Sequence, residues 1–81
     1  MARARNINLY IEFLHMDDVG AVISAIKAQD IRIFDVEIHK QKAEGANQSA
    51  VFSVRLPKRM SHATALAVVA GVENVRSIEE L

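Results

Sequence analysis

Polar and apolar residues alternate from Asn6 to Leu14 (NINLYIEFL). Ile7, Leu9, Ile11 and Phe13 fall on one side, and Asn8, Tyr10 and Glu12 on the other. A period of two predicts a strand with one buried face. After HMDD the period changes. Val19, Val22, Ile23 and Ile26 form the stripe of an amphipathic helix, with Ser24, Lys27 and Ala28 facing outward. Asp30 breaks that rhythm, and IRIFDVEIHKQK (Ile31–Lys42) predicts a second strand. Ile31 and Ile33 share one parity there, while Val36 and Ile38 share the other. A bulge near Phe34–Asp35 would set all four on one face. AEGANQ (Ala43–Gln48) predicts a hairpin loop, and Ser49–Leu56 the returning strand, with Ala50, Phe52, Val54 and Leu56 in alternation. Pro57 ends it. Ser61 is a good N-cap for a second helix over His62–Ala70, whose core stripe is expected at Ala63, Leu66, Val69 and Ala70. Gly71 marks its stop, and Val72–Glu80 predicts a last short strand.

The order β-α-β-β-α-β is the ferredoxin-like split unit. It implies an α+β domain: a four-stranded antiparallel sheet, first and third strands central, with two helices on one face. The other face is open, and Tyr10, Phe34 and Val51 are expected to point there. Residues 6–81 form a single domain, preceded by a flexible segment over residues 1–5. A chain of 81 residues has room for one small core.

Ten basic and ten acidic residues cancel, so no basic face of the nucleic-acid-binding kind is expected and nucleic acid is not a partner. The absence of cysteine excludes disulfides and thiolate metal sites. No apolar run approaches the ~20 residues of a membrane-spanning helix.

His15, Asp17, Asp18 and Gly20 are the candidate ligand-binding residues. The simplest role for Asp17 or Asp18 is to cap the first helix, accepting from its free N–H groups and complementing its positive end. A divalent cation on His15, Asp17 and Asp18 is the sharper alternative. Magnesium favours octahedral oxygen over histidine, and zinc has no matching distal motif, so no metal site and no cofactor are expected. His39 and His62 are expected to be solvated. No nucleophile–base pair emerges from Ser24, Ser49, Ser53, Ser61 or Ser77, which argues against an enzyme. KRMSH (Lys58–His62) sets two cations before a helix start, either a solvated loop or an anion site. ATALAVVA is apolar nearly all round, with Thr64, Ala65 and Val68 expected away from the core. Tyr10, Phe34 and Val68 are therefore the candidate interface residues, in a homodimer or a contact with another protein.

The β-α-β-β-α-β order with DDVGAVISAI resembles an ACT-type domain, in which a loop bearing an acid and a glycine leads into the first helix. Asp17 and Gly20 match that loop, and Asp30 stands where a glycine is common. In ordinary ACT domains this loop senses a small ligand. The chain also resembles the cytoplasmic C-terminal domain of the MgtC/SapB family, through IRIFDVEI, FSVRLPKRMSH and VENVRSIEEL. That resemblance runs from Asn6 nearly to the end. It implies a non-enzymatic regulatory or interaction domain of a bacterial inner-membrane protein, on the cytoplasmic side, linked to growth at low magnesium. On that reading the chain is an excised piece, its partner is itself or its own membrane domain, and Arg3 and Arg5 follow the last membrane helix.

Overall fold

The computed structural model describes residues 4–81. Arg3, and residues 1–3 of the expected flexible segment, lie outside them. The elements follow the order β1 (Asn6–Phe13), α1 (Asp18–Ala28), β2 (Arg32–His39), β3 (Gln48–Arg55), α2 (His62–Ala70) and β4 (Val75–Glu80). The strands form one antiparallel sheet in the order β2-β3-β1-β4, so β1 and β3 are central. α1 lies towards β2, α2 packs on β4, and the helices touch each other.

The alternation in β1 buries Ile7, Leu9, Ile11 and Phe13, and that in β3 buries Ala50, Phe52 and Val54. Leu56 continues the row just beyond β3. Val22 and Ile26 of α1 close over these side chains, with Val19 and Ile23 packed beside them. The opposite sheet face carries polar residues around Tyr10 and Val51, which sit side by side in the register of β1 and β3.

The bulge expected in β2 is present. Ile33 stands opposite Val54 and Asp35 opposite Ser53, leaving Phe34 as the extra residue. Val36 and Ile38 then face Phe52 and Ala50, so Ile33, Val36 and Ile38 share the helix-covered side. Ile38 shares that side without its cover. At the end of an edge strand it is 47% exposed, and Phe34 at the bulge is 57% exposed.

α2 departs from the expected stripe. Its buried positions are His62, Ala65 and Val69, with Leu66 half-buried, while Ala63 and Ala70 are exposed. Ala65, expected outward, is fully buried, and Val68 is half-buried. The true stripe is Ala65, Leu66 and Val69, and His62 extends it by one turn at the helix start. Ser61 caps the helix as expected, its hydroxyl oxygen accepting from the Thr64 N–H at 3.1 Å.

β4 starts at Val75, not Val72; residues 72–74 form a turn. Gly71 ends α2 with an ordinary right-handed backbone, and the left-handed residue of this connection is Asn74 (φ 71°). α1 ends similarly, with Asp30 at φ 60°. Asp30 N–H donates to the Lys27 carbonyl at 3.1 Å and so satisfies the helix end. A side chain in this conformation is strained, and glycine relieves it. Asp30→Gly is expected to raise stability by about 0.5–1 kcal/mol in urea unfolding, with an unchanged m-value. A loss of stability would show that the Asp30 side chain makes a compensating interaction.

Candidate functional site

The segment between β1 and α1 is held by polar contacts that run backward along the chain. Asp17 is the N-cap residue of α1, but its backbone is already helical (φ −62°, ψ −22°) and its side chain caps nothing. Asp18 does not cap the helix either. Its Oδ2 accepts from the His15 N–H at 2.8 Å, and its Oδ1 accepts from the Asn74 side-chain amide at 3.0 Å. The capping expected of this acidic pair is therefore replaced by a tie between two loops. With Asp17 in a helical conformation, its carboxylate does not reach the first-turn N–H groups as a β-region N-cap would.

Asn74 holds the same loop twice. Its backbone carbonyl accepts from the Leu14 N–H at 3.0 Å, while its side chain donates to Asp18. The Asn74 hydrogen bond and the His15 N–H hold the Asp18 carboxyl below its ordinary value of 3.8; burial opposes this, and the His15 charge adds to it. The His15 ring is exposed, with Nδ1 3.7 Å from Asp18 Oδ2.

Gly20 is exposed in the first turn of α1. A Cβ added there would meet nothing within 4 Å, and the backbone is not left-handed. Neither packing nor conformation requires glycine at this place.

Beside this loop lies a groove of about 390 Å³, walled by Leu14, His15 and Met16, by Gly45 and Ala46 of the β2–β3 loop and by Gln48 at the start of β3. Gln48 braces the far wall: its Oε1 accepts from the Gln41 N–H at 2.7 Å, and its Nε2 donates to the Gln41 carbonyl at 3.2 Å. Of the four candidate ligand residues, only His15 lines the groove. Asp18 ties the loop behind it, and Asp17 and Gly20 sit on exposed surface nearby. No group of three or more His, Cys, Asp or Glu residues that could hold a metal ion occurs among the described residues.

The candidate interface residues are not brought together. Tyr10 is half-buried on the open sheet face, Phe34 lies on the β2 edge, and Val68 is in the helical layer. His39 is on the open face with its side chain 47% exposed, as expected. His62 is not solvated. It is 9% exposed, with Nδ1 3.0 Å from both oxygens of Glu80 and Nε2 2.6 Å from the Ala4 carbonyl. Glu80 lies opposite Leu9 on the helix-covered side of β4, which brings it beneath α2. Both partners are acceptors, so each contact is a hydrogen bond only where the ring nitrogen carries a proton.

Replacing Asp18 by alanine is expected to lower the melting temperature, and replacing Asp17 is not. The folded carboxyl is held low, so the stabilisation is complete above the ordinary value of 3.8 and disappears as pH falls through the lowered value. The gap in melting temperature between wild type and Asp18→Ala should therefore be constant at neutral pH and close in strong acid. A gap that persists unchanged in strong acid would assign the effect to something other than the ionised carboxylate.

No protein-family model matches the chain, and no curated protein is significantly similar to it in sequence. No helix among the described residues is long and apolar enough to cross a membrane. Among solved structures, the chain is similar to the ACT domain of a GTP pyrophosphokinase from Chlorobium tepidum. The match has a TM-score of 0.73 at 12% sequence identity and covers 98% of this chain and 100% of that one. The chain therefore has the fold of an ACT domain.

Proposed function

We propose that this chain is a non-enzymatic regulatory domain that works by association, and that it serves as the cytoplasmic domain of an MgtC/SapB-type membrane protein linked to low-magnesium adaptation. The observation that carries the association is the β2 edge. β2 ends the sheet, so one side of its backbone has no strand neighbour, and the large apolar Phe34 and Ile38 are exposed on it. An edge of this kind is a template for another strand. A second copy paired there extends the antiparallel sheet and covers both side chains. The assignment to the membrane protein is supported by the three sequence phrases, which fall on the bulged β2 edge, on the passage from β3 into α2, and on the turn into β4.

In sedimentation equilibrium the wild type is expected to dimerise, and Phe34→Lys with Ile38→Lys to dissociate it without changing the circular dichroism. Val68→Lys, in the helical layer, should leave the association intact. A wild type that stays monomeric at high concentration sinks the proposal of self-association. The membrane context is tested separately, by looking for several apolar helices encoded upstream in the same reading frame.

Gly20 favours a second reading, the sensing of a small ligand beside the β1–α1 loop. Glycine in a helix costs about 0.5–1 kcal/mol relative to alanine. A glycine that fold and packing do not require, in the helix that follows a groove-lining loop, fits a ligand that comes close to the backbone. Gly20→Ala is then expected to stabilise the free protein, while Gly20→Asp keeps the fold and abolishes ligand protection in a thermal-shift screen of amino acids and nucleotides. A screen in which no compound protects the wild type removes this reading.

A further inference from the structure

A second groove, of about 510 Å³, lies at the opposite end of β1, between the N-terminal segment and the start of α2. Arg5, Lys58 and Arg59 line it, together with Ser61 and His62. These cations come from distant parts of the sequence, and backbone hydrogen bonds hold the segments in place. The Arg5 carbonyl accepts from the Leu56 N–H at 2.7 Å, the Met60 N–H donates to the Pro57 carbonyl at 3.0 Å, and Ala4 is held by His62. Among the described residues, none of the three cationic side chains forms a salt bridge or a side-chain hydrogen bond. The carboxylate that touches a lining residue is Glu80, and both its oxygens face His62 Nδ1.

The chain as a whole has no net charge, so three cations without acidic partners around one groove are a local excess, not a reflection of a basic protein. Nearby cations that stay unpaired repel one another, and an anion between them removes that repulsion. The arginine forks match the oxygens of a tetrahedral anion, and lysine adds a point charge. Of the first-turn N–H groups of α2, those of Thr64 and Ala65 are taken up by Ser61, and those of His62 and Ala63 add to the positive potential. We infer that the Arg5–Lys58–Arg59 groove binds a phosphate monoester, either on a soluble ligand or on a lipid headgroup. This site is separate from the β1–α1 loop and does not depend on the function proposed above.

The test is titration of the labelled protein, followed by amide NMR, with inorganic phosphate against sodium chloride at matched ionic strength. Alongside it, co-sedimentation is measured with vesicles of phosphatidic acid in phosphatidylcholine and with phosphatidylcholine alone. Saturable shifts at Arg5 and residues 58–63, caused by phosphate and not by chloride, support a soluble phosphate ligand. Co-sedimentation with phosphatidic acid vesicles only, without saturable phosphate shifts, supports the headgroup. In either case Lys58→Gln with Arg59→Gln should weaken binding roughly tenfold or more. Lys40→Gln with Lys42→Gln, which removes the same charge elsewhere, should change it less than about twofold. Equal effects of the two double variants, equal shifts with chloride, or no binding in either arm would overturn the inference. All four positions are exposed, and an unchanged circular dichroism spectrum confirms the fold of each variant.

Discussion

β1 and β3 are paired along their whole lengths, and every second side chain on that pair points into the same layer. Ile7, Leu9, Ile11 and Phe13 meet Ala50, Phe52 and Val54 there, and both phenylalanines are fully buried. Burying a side chain of that size contributes about 1.5–3 kcal/mol, so this face outweighs any single polar contact in the molecule. It also fixes the register: a slip of one residue would turn the whole set to the polar side. The two helices are placed by this face, and so are the loops at its two ends. β2 and β4 add a neighbour on each side and leave the molecule with two sheet edges.

That dependence explains which parts of the fold were legible in the sequence. Alternation in β1 and β3 and the α1 stripe are direct products of one-sided burial, so the pattern revealed them. The bulge was legible for the same reason. Only an extra residue between Ile33 and Val36 sets both against the row formed by Val54 and Phe52. α2 was misread because a histidine stands where its first core residue belongs. A buried polar side chain carries no hydrophobic signal, and its partners, Glu80 and the Ala4 carbonyl, are far away in sequence. Asn74 was hidden in another way. Its left-handed backbone and its bond to Asp18 depend on two loops meeting in space, and local patterning read the segment as strand.

The candidate site was legible only in part, for a related reason. HMDD marks the loop between β1 and α1, but it does not reveal which way the acids turn. An aspartate before a helix has two competing outlets, the first-turn N–H groups and donors outside the helix. Here the chain entering α1 already turns helically at Asp17, and the His15 N–H and the Asn74 amide take up the carboxylate of Asp18. The acid thus fixes the loop to the start of β4 and leaves the surface at Gly20 uncovered. Gly20 was noticed through a resemblance; what sets it apart physically is that neither packing nor conformation demands it.

The two ends of the domain consequently differ in chemistry. At the β1–α1 end, the Asp18 carboxylate is taken up internally, and Asp17 and Gly20 stand exposed. At the α2 end, His62 is buried against the half-buried Glu80, while the cations Arg5, Lys58 and Arg59 face outward. His62 connects this second end to the chain's beginning, because its Nε2 meets the Ala4 carbonyl directly before Arg5. Burying a polar ring is costly unless it is hydrogen-bonded, and here each ring nitrogen lies within reach of an acceptor oxygen. The ring that disguised α2 in the sequence thus stands against the segment that carries Arg5. The least legible residue of the core is also one that lines the basic groove.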